Sequence, residues 1–227
     1  MFFPVGDTQV QGGHTPYVSY GFILLNVFIF LYEVSLGSDG AAAFLTHYGT
    51  IPAEIMAGED TFTLLTSMFL HGGWMHLIGN MLFLWVFGDN IEATIGTPLF
   101  LLFYLVGGLA ASGAHIFFNM TSSIPSVGAS GAIAAVMGAY LVMFPKSKIK
   151  VLVIILFRNF HMPAILFLGL WFGQQLISGV GEISIRTADS AGVAWWAHIG
   201  GFAFGLLAGW WLRDKVCDIP KKKDIYV

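Results

Sequence analysis

GASGAIAAVMGAYLVMF (residues 128–144) and WWAHIGGFAFGLLAGWWL (residues 195–212) decide the architecture of this chain. Neither run contains Asp, Glu, Lys or Arg, and each opens on one polar side chain, Ser130 or His198. Runs of this length without charge read as segments of a lipid bilayer. The whole chain agrees: of 227 residues, 56% are hydrophobic and 10% charged, against about 25% charged in a soluble domain. The net charge of −3 says little about nucleic acid, but no basic patch large enough for phosphate binding is present, so no nucleic-acid partner is expected. The single cysteine, Cys217, excludes an intrachain disulfide and a Cys-based metal site.

Working outward, the apolar runs predict an all-α membrane protein of six transmembrane helices. The expected spans are Tyr17 to Leu36, Trp74 to Ile95, Pro98 to Phe118, Gly128 to Phe144, Met162 to Gly179 and Trp195 to Leu212. Val151 to Phe157 is expected at the interface. The first twenty residues lack Lys and Arg, and the first apolar run is too long for a signal-peptide core, so the spans themselves are expected to direct insertion. The mixed segment after the first span, Gly37 to Gly73, is predicted to be an external loop with one or two short helices partly submerged in the outer leaflet.

Lys146, Lys148, Lys150 and Arg158 lie between spans four and five, and Arg213, Lys215, Lys221, Lys222 and Lys223 follow span six; only Arg186 lies elsewhere. The positive-inside rule places both groups in the cytoplasm. The expected division is a cytoplasmic tail over residues 1–16, a membrane domain over 17–212 and a basic cytoplasmic tail over 213–227. Asp89 and Glu92, in the loop that this topology makes cytoplasmic, count little in the rule. Trp195 and Trp196 then mark the outer interface, and Trp210 and Trp211 the inner one.

This topology brings three polar sites to one depth. Ser130, His198 and the pair His76 and Asn80 all fall at outer ends of spans, and His76 and Asn80 share a helix face at i, i+4. Polar and ionisable groups are costly in hydrocarbon, so an intramembrane histidine is a candidate functional group. Gly201, Gly205 and Gly209 form a small-residue stripe that is expected to pack on Ser130, Ala134 and Gly138, since small faces let helices approach closely. A serine hydroxyl becomes nucleophilic when a base takes its proton, and imidazole suits that task near neutral pH. The oxyanion so formed needs donors, which His76, Asn80 and the Ser130 backbone N–H can supply. With no acidic residue near His198 in spans four or six, the expected machinery is a Ser–His dyad without metal or other cofactor.

The pattern His71-Gly-Gly-Trp-Met-His76-Leu-Ile-Gly-Asn80, then Gly128-Ala-Ser130-Gly131, then Ala197-His198-Ile-Gly-Gly201-Phe-Ala-Phe-Gly205 closely resembles the rhomboid intramembrane serine proteases. The three motifs stand in the family's order across most of the chain. The resemblance implies a six-helix rhomboid fold, Ser130 as nucleophile and His198 as general base. It also implies oxyanion roles for His76 and Asn80, a supporting role for His71 and a structural role for Glu92. The expected substrates are membrane-anchored proteins cut near the outer face, in a prokaryotic cytoplasmic membrane. The chain departs from the family pattern in two places. Phe62 and Thr63 stand where the loop often carries Trp-Arg, and Ala134 stands where some members stack an aromatic ring on the catalytic histidine. Packing alone is then expected to orient His198.

Rival readings stay open at this stage. One is a catalytically inactive protein that binds or escorts membrane proteins. Another is a metal-dependent hydrolase using His71, His76 and His198, although the chain has no His-Glu-x-x-His motif. A transporter would need an inverted repeat or a broken helix pair, and neither is visible. The sequence assigns no oligomeric state.

Overall fold

The computed structural model describes residues 2–7, 14–153, 158–184 and 194–213. Cys217, Arg186 and the basic residues after Arg213 lie outside the described residues. The longest helices follow the apolar runs: α1 (Tyr17–Ser35), α5 (Trp74–Ile95), α6 (Thr97–Phe118), α7 (Ser130–Met143), α8 (Ala164–Ser184) and α9 (Trp195–Arg213). Glycines bracket α5, with Gly73 before it and Gly96 after it at φ +82°. Pro98 falls in the first turn of α6, where its missing N–H has no intrahelical partner to lose. Three stretches, Tyr17–Ser35, Thr97–Phe118 and Ala164–Gly181, are long and apolar enough to cross a membrane; α7 is apolar but only 14 residues long.

The outward faces carry large apolar side chains such as Phe28, Leu102, Ile177 and Leu207. An apolar exterior of this extent belongs in lipid. Inside, α7 is wrapped on all sides, and every residue from Gly131 to Tyr140 is buried. Phe87 of α5 meets Tyr140 of α7 edge-on at 5.0 Å, and Phe202 of α9 stacks on Phe172 of α8 at 4.4 Å.

Glu92 joins three helices at the end remote from Ser130. Its carboxylate accepts from the Val18 N–H at 3.0 Å, the Ser19 N–H at 2.9 Å, the Ser19 hydroxyl at 2.8 Å and the Thr97 hydroxyl at 3.0 Å. It thereby satisfies orphan N–H groups in the first turn of α1 and ties α5 to the starts of α1 and α6. His14 Nε2 lies 3.8 Å from the same carboxylate.

The same end carries a three-stranded antiparallel sheet ordered β1 (Phe2–Gly6), β2 (Lys148–Val153) and β3 (Arg158–Pro163). Phe2 pairs with Val153, and Lys148 with Pro163. One expectation gains a form here and another changes. Val151 to Val153, expected as interfacial apolar chain, belongs to β2, whose Lys-Ile-Lys-Val start buries Ile149 and Val151 on alternate positions. Met162 and Pro163, assigned to the fifth span, belong to β3, and the helix begins at Ala164. Residues 154–157 of the expected interfacial stretch lie outside the described residues. Beneath the sheet, Asp7 accepts a hydrogen bond from Asn90 of α5 and another from the Tyr140 hydroxyl of α7, which lies 2.7 Å from Ser147 Oγ.

The segment after α1 holds more structure than expected: α2 (Gly37–Tyr48), α3 (Pro52–Ala57), α4 (Thr63–Thr66) and a 3-10 turn, Ser67–Phe69. Hydroxyls knit it together. Thr50 Oγ1 bonds Ser67 Oγ at 2.8 Å and donates to the Thr63 carbonyl at 2.9 Å, and Thr66 Oγ1 donates to the Tyr48 carbonyl at 2.7 Å. At the first departure from the family pattern, Phe62 packs near the His47 and Tyr48 rings, and the Thr63 hydroxyl donates to the Asp60 carbonyl at 2.7 Å. Backbone pairing of Thr50 with Ser126 fastens the segment to the chain entering α7.

Candidate active site

Gly128 sets the entry to α7. Its φ of +131° is a conformation that L side chains rarely adopt, and a Cβ there would come within 2.8 Å of the His76 ring. Its N–H donates to the Ser67 carbonyl at 2.9 Å. Two residues later Ser130 is the first residue of α7, where helix geometry leaves backbone N–H groups without intrahelical acceptors.

His198 sits in the first turn of α9, 9% exposed. Its Nε2 lies 2.8 Å from Ser130 Oγ, a hydrogen bond between residues 68 positions apart. Its Nδ1 lies 2.8 Å from Gln175 Oε1 of α8. The Trp171 ring is 5.7 Å from the imidazole, tilted by 37°, and Trp195 meets it edge-on at 6.3 Å. The expectation that packing alone orients His198 is therefore corrected: a side-chain hydrogen bond from α8 holds the ring where Ala134 offers none.

The helix contact that brings α7 and α9 together is as close as the glycine stripe predicts, but one residue out of the expected register. Gly201 lies against Gly131, Gly205 against Ala135 and Gly209 against Ala139. Gly138 meets the backbone of Gly205 and Leu206. The expected row of Ser130 and Ala134 is thus displaced about 100° around the helix from the closest backbone contact. That offset has a use: Ser130 at the seam itself would have its hydroxyl against backbone, whereas at the seam's edge it reaches an imidazole.

His76, in the first turn of α5, presents its Nε2 edge to Gly128. The Gly72 N–H points at His76 Nδ1, 3.4 Å away. If Nδ1 accepts, the ring proton is on Nε2 and faces the start of α7. Asn80 follows one turn later, buried, with no protein partner for Nδ2 among the described residues. His71, in the loop before α5, is fully buried with its ring 5.1 Å from that of His76. Burial pushes the His71 imidazole down to about 3, and the neighbouring His76 adds to the effect, so it packs as a neutral ring. Its backbone N–H points at Glu33 Oε1 of α1 at 3.4 Å. Among the described residues, no three His, Cys, Asp or Glu side chains are arranged to hold a metal ion. Glu92 belongs to the opposite end of the bundle.

Sequence reasoning missed Gln175 and Glu33. Each was visible as a polar residue inside an apolar run, the signal that singled out His198, but neither falls in a motif and Gln174 beside Gln175 obscured which of the two faces inward.

The Rhomboid domain matches residues 58–215 of this chain. Rhomboid protease GluP of Bacillus subtilis is 34% identical over 169 residues, covering 74% of this chain and 32% of that protein. Rhomboid protein 1, mitochondrial, of Saccharomyces cerevisiae is 28% identical over 182 residues, covering 76% and 47%. RHOMBOID-like protein 4 of Arabidopsis thaliana is 31% identical over 160 residues, covering 69% and 35%. The matches thus span about a third to a half of these relatives' length. Bacterial and mitochondrial proteins stand together among them, so the similarity by itself does not select the prokaryotic membrane expected from the sequence. With a domain match over most of its length, this integral membrane protein belongs to the rhomboid family.

Proposed function

We propose that this chain is an intramembrane serine endopeptidase that cleaves membrane-anchored proteins by a Ser130–His198 dyad. The observation that carries the reading is the 2.8 Å contact between Ser130 Oγ and His198 Nε2 at the start of two buried, closely packed helices. In the proposed reaction Ser130 Oγ attacks the scissile carbonyl as its proton passes to His198 Nε2. The oxyanion is met by the Ser130 backbone N–H and by the side chains of His76 and Asn80. His198 then protonates the departing amine. The bare imidazole next takes a proton from water as its oxygen attacks the acyl ester, and returning that proton to Ser130 Oγ restores the enzyme.

In this reading α1, α5, α6, α7, α8 and α9 all span the bilayer, residues 17–212 form the membrane domain, and the flanking segments 1–16 and 213–227 face the cytoplasm. The basic residues Lys146, Lys148, Lys150 and Arg158 support that orientation. The substrates are transmembrane proteins, cut near the external boundary after local unwinding, because carbonyls inside a helix are already hydrogen-bonded. No cofactor enters the mechanism.

Purified protein in detergent is expected to cleave a membrane-anchored test substrate and to bind a fluorophosphonate at Ser130, located by peptide mass spectrometry. Undiminished cleavage by folded Ser130→Ala, or by folded His198→Ala, would overturn the dyad. Absence of both cleavage and labelling in the wild type would favour the binding or escort protein.

A further inference from the structure

Gln175 does more than fill space beside His198. It is 3% exposed, on the same face of α8 as Trp171 one turn earlier, and both contact the imidazole. Its Nε2 donates to the Trp171 carbonyl at 3.3 Å. That bond fixes which end of the amide is which. Reversing the amide would set Oε1 against the Trp171 carbonyl, two acceptors facing each other. With Nε2 committed to Trp171, Oε1 is the atom 2.8 Å from His198 Nδ1. An amide oxygen only accepts, so Nδ1 must carry the ring proton. A neutral imidazole has one ring proton, and Nε2 is then bare toward Ser130 Oγ. The chain Trp171 carbonyl, Gln175 amide, imidazole, Ser130 hydroxyl has one consistent direction of donation, and it ends with the hydroxyl donating to the base.

We propose that Gln175 is the positioning residue for His198: its amide oxygen holds the imidazole in the tautomer whose bare Nε2 receives the proton of Ser130. The proposal rests on the dyad reading and deepens it. It gives this chain a neutral third group in place of the carboxylate of a full triad. A neutral amide supplies direction without placing a second ionisable group in a desolvated site, where an ion is costly. The other titratable side chains whose charge is felt at His198 are His76 of α5 and His115 of α6. Among the described residues the ring's hydrogen-bond partners are Gln175 and Ser130.

The test compares wild type, Gln175→Leu and Gln175→Glu in detergent, with thermal unfolding measured for each. Gln175→Leu removes the acceptor. It is expected to lower kcat by roughly 5- to 100-fold with KM unchanged. Gln175→Glu keeps an acceptor of the same reach. It is expected to recover most of the lost kcat and to move the acid limb of the kcat profile to higher pH, because a carboxylate at Nδ1 stabilises the imidazolium. A purely structural role predicts damage in both variants and an unmoved limb. Wild-type kcat in Gln175→Leu, or a Gln175→Glu as impaired as Gln175→Leu with the limb unmoved, would overturn the proposal. A second measurement reads the tautomer directly. In 15N-histidine-labelled wild type, the His198 resonances, identified by their loss in His198→Ala, are expected to show a protonated Nδ1 and a bare Nε2. The reverse pattern would overturn the proposal. This arm stands whether or not Gln175→Leu folds and whether or not the protein cleaves. Failure of the protease reading is therefore distinguishable from failure of this one.

Discussion

Replacing Gly205 by alanine adds one methyl group at the tightest point between α7 and α9. That methyl would lie 2.7 Å from the Ala135 carbonyl carbon and 2.9 Å from the Ala135 Cα. Carbon atoms settle at about 3.5–4.0 Å, so the helices must part by roughly 1 Å. Overpacking typically costs about 1–3 kcal/mol. The upper end applies here because the obstacle is backbone, which cannot rotate aside. At roughly 2–4 °C per kcal/mol for a chain of this size, Tm should fall by roughly 6–12 °C. Activity should fall further than stability suggests. The Ser130–His198 contact is 2.8 Å, and lengthening it by that ~1 Å breaks the hydrogen bond; misplacement on this scale can cost about 100-fold in rate. Gly169 of α8 is the control, since a Cβ there meets nothing within 4 Å. Gly169→Ala should leave activity intact and raise Tm slightly through helix propensity, worth about 1 kcal/mol. The assay is thermal unfolding in detergent beside cleavage of a membrane-anchored substrate. Wild-type Tm and activity in Gly205→Ala would refute the claim that this seam positions the dyad.

Folded Asn80→Ala and His76→Ala are each expected to lose about 10²–10³-fold in kcat, with steady-state kinetics as the check; unchanged turnover removes the residue from the oxyanion site. Glu92→Gln should destabilise by roughly 1–3 kcal/mol, since an NH2 group would replace one of the oxygens receiving the α1 donors; unaltered thermal unfolding would count against Glu92 as the joint of α1, α5 and α6. Asp7 carries a pH dependence of opposite sign to an ordinary surface carboxylate. Burial raises it from 3.8 to about 7, against the pull of hydrogen bonds from Tyr140 and Asn90 and with a contribution from Asp89. The folded state therefore binds the proton more tightly than the unfolded chain. The stabilisation is full below the unfolded value and is lost as pH rises from about 4 to about 7. Thermal unfolding of wild type should weaken across that window, and Asp7→Asn should flatten the dependence; an equally steep profile in the variant would show that other groups cause it.

The sequence made some parts of this molecule legible and hid others for physical reasons. The bounds of α5 could be read to the residue because glycines stop the helix at both ends. Ser130 and His198 stood out because polar groups are rare in apolar runs, and their meeting followed from small residues on both helices. The register of that meeting could not be read. A glycine stripe says that a helix can approach closely, but the partner row is chosen by side chains of α6 as well, such as Ala111 against Gly131 and Gly201. The sheet was hidden because β1 and β2 are nearly 150 residues apart, and β2's alternation is short beside the apolar run that follows it. Gln175 could be noticed but not placed, since nothing local distinguishes an inward amide from its neighbour Gln174.

The short α7 fixes how deep the proposed chemistry occurs. A Cβ on Gly131 would lie 2.6 Å from the Ala111 methyl, and α6 continues from Ala111 for two further turns to Phe118. In the proposed topology, at about 1.5 Å per residue, Ser130 lies roughly 10 Å below the outer end of α6, within a hydrocarbon layer of about 30 Å. In the proposed reaction this depth treats the two substrates differently. The peptide partitions into that layer on its own, whereas water is scarce there. The second half-reaction, release of the acyl group, then depends on how quickly water reaches the recessed ester. Hydrogen-bonding groups such as Asn80 Nδ2, which has no protein partner among the described residues, become part of the water supply as well as of the proposed oxyanion site. A protease built this way would set its pace by hydration as much as by the strength of its nucleophile.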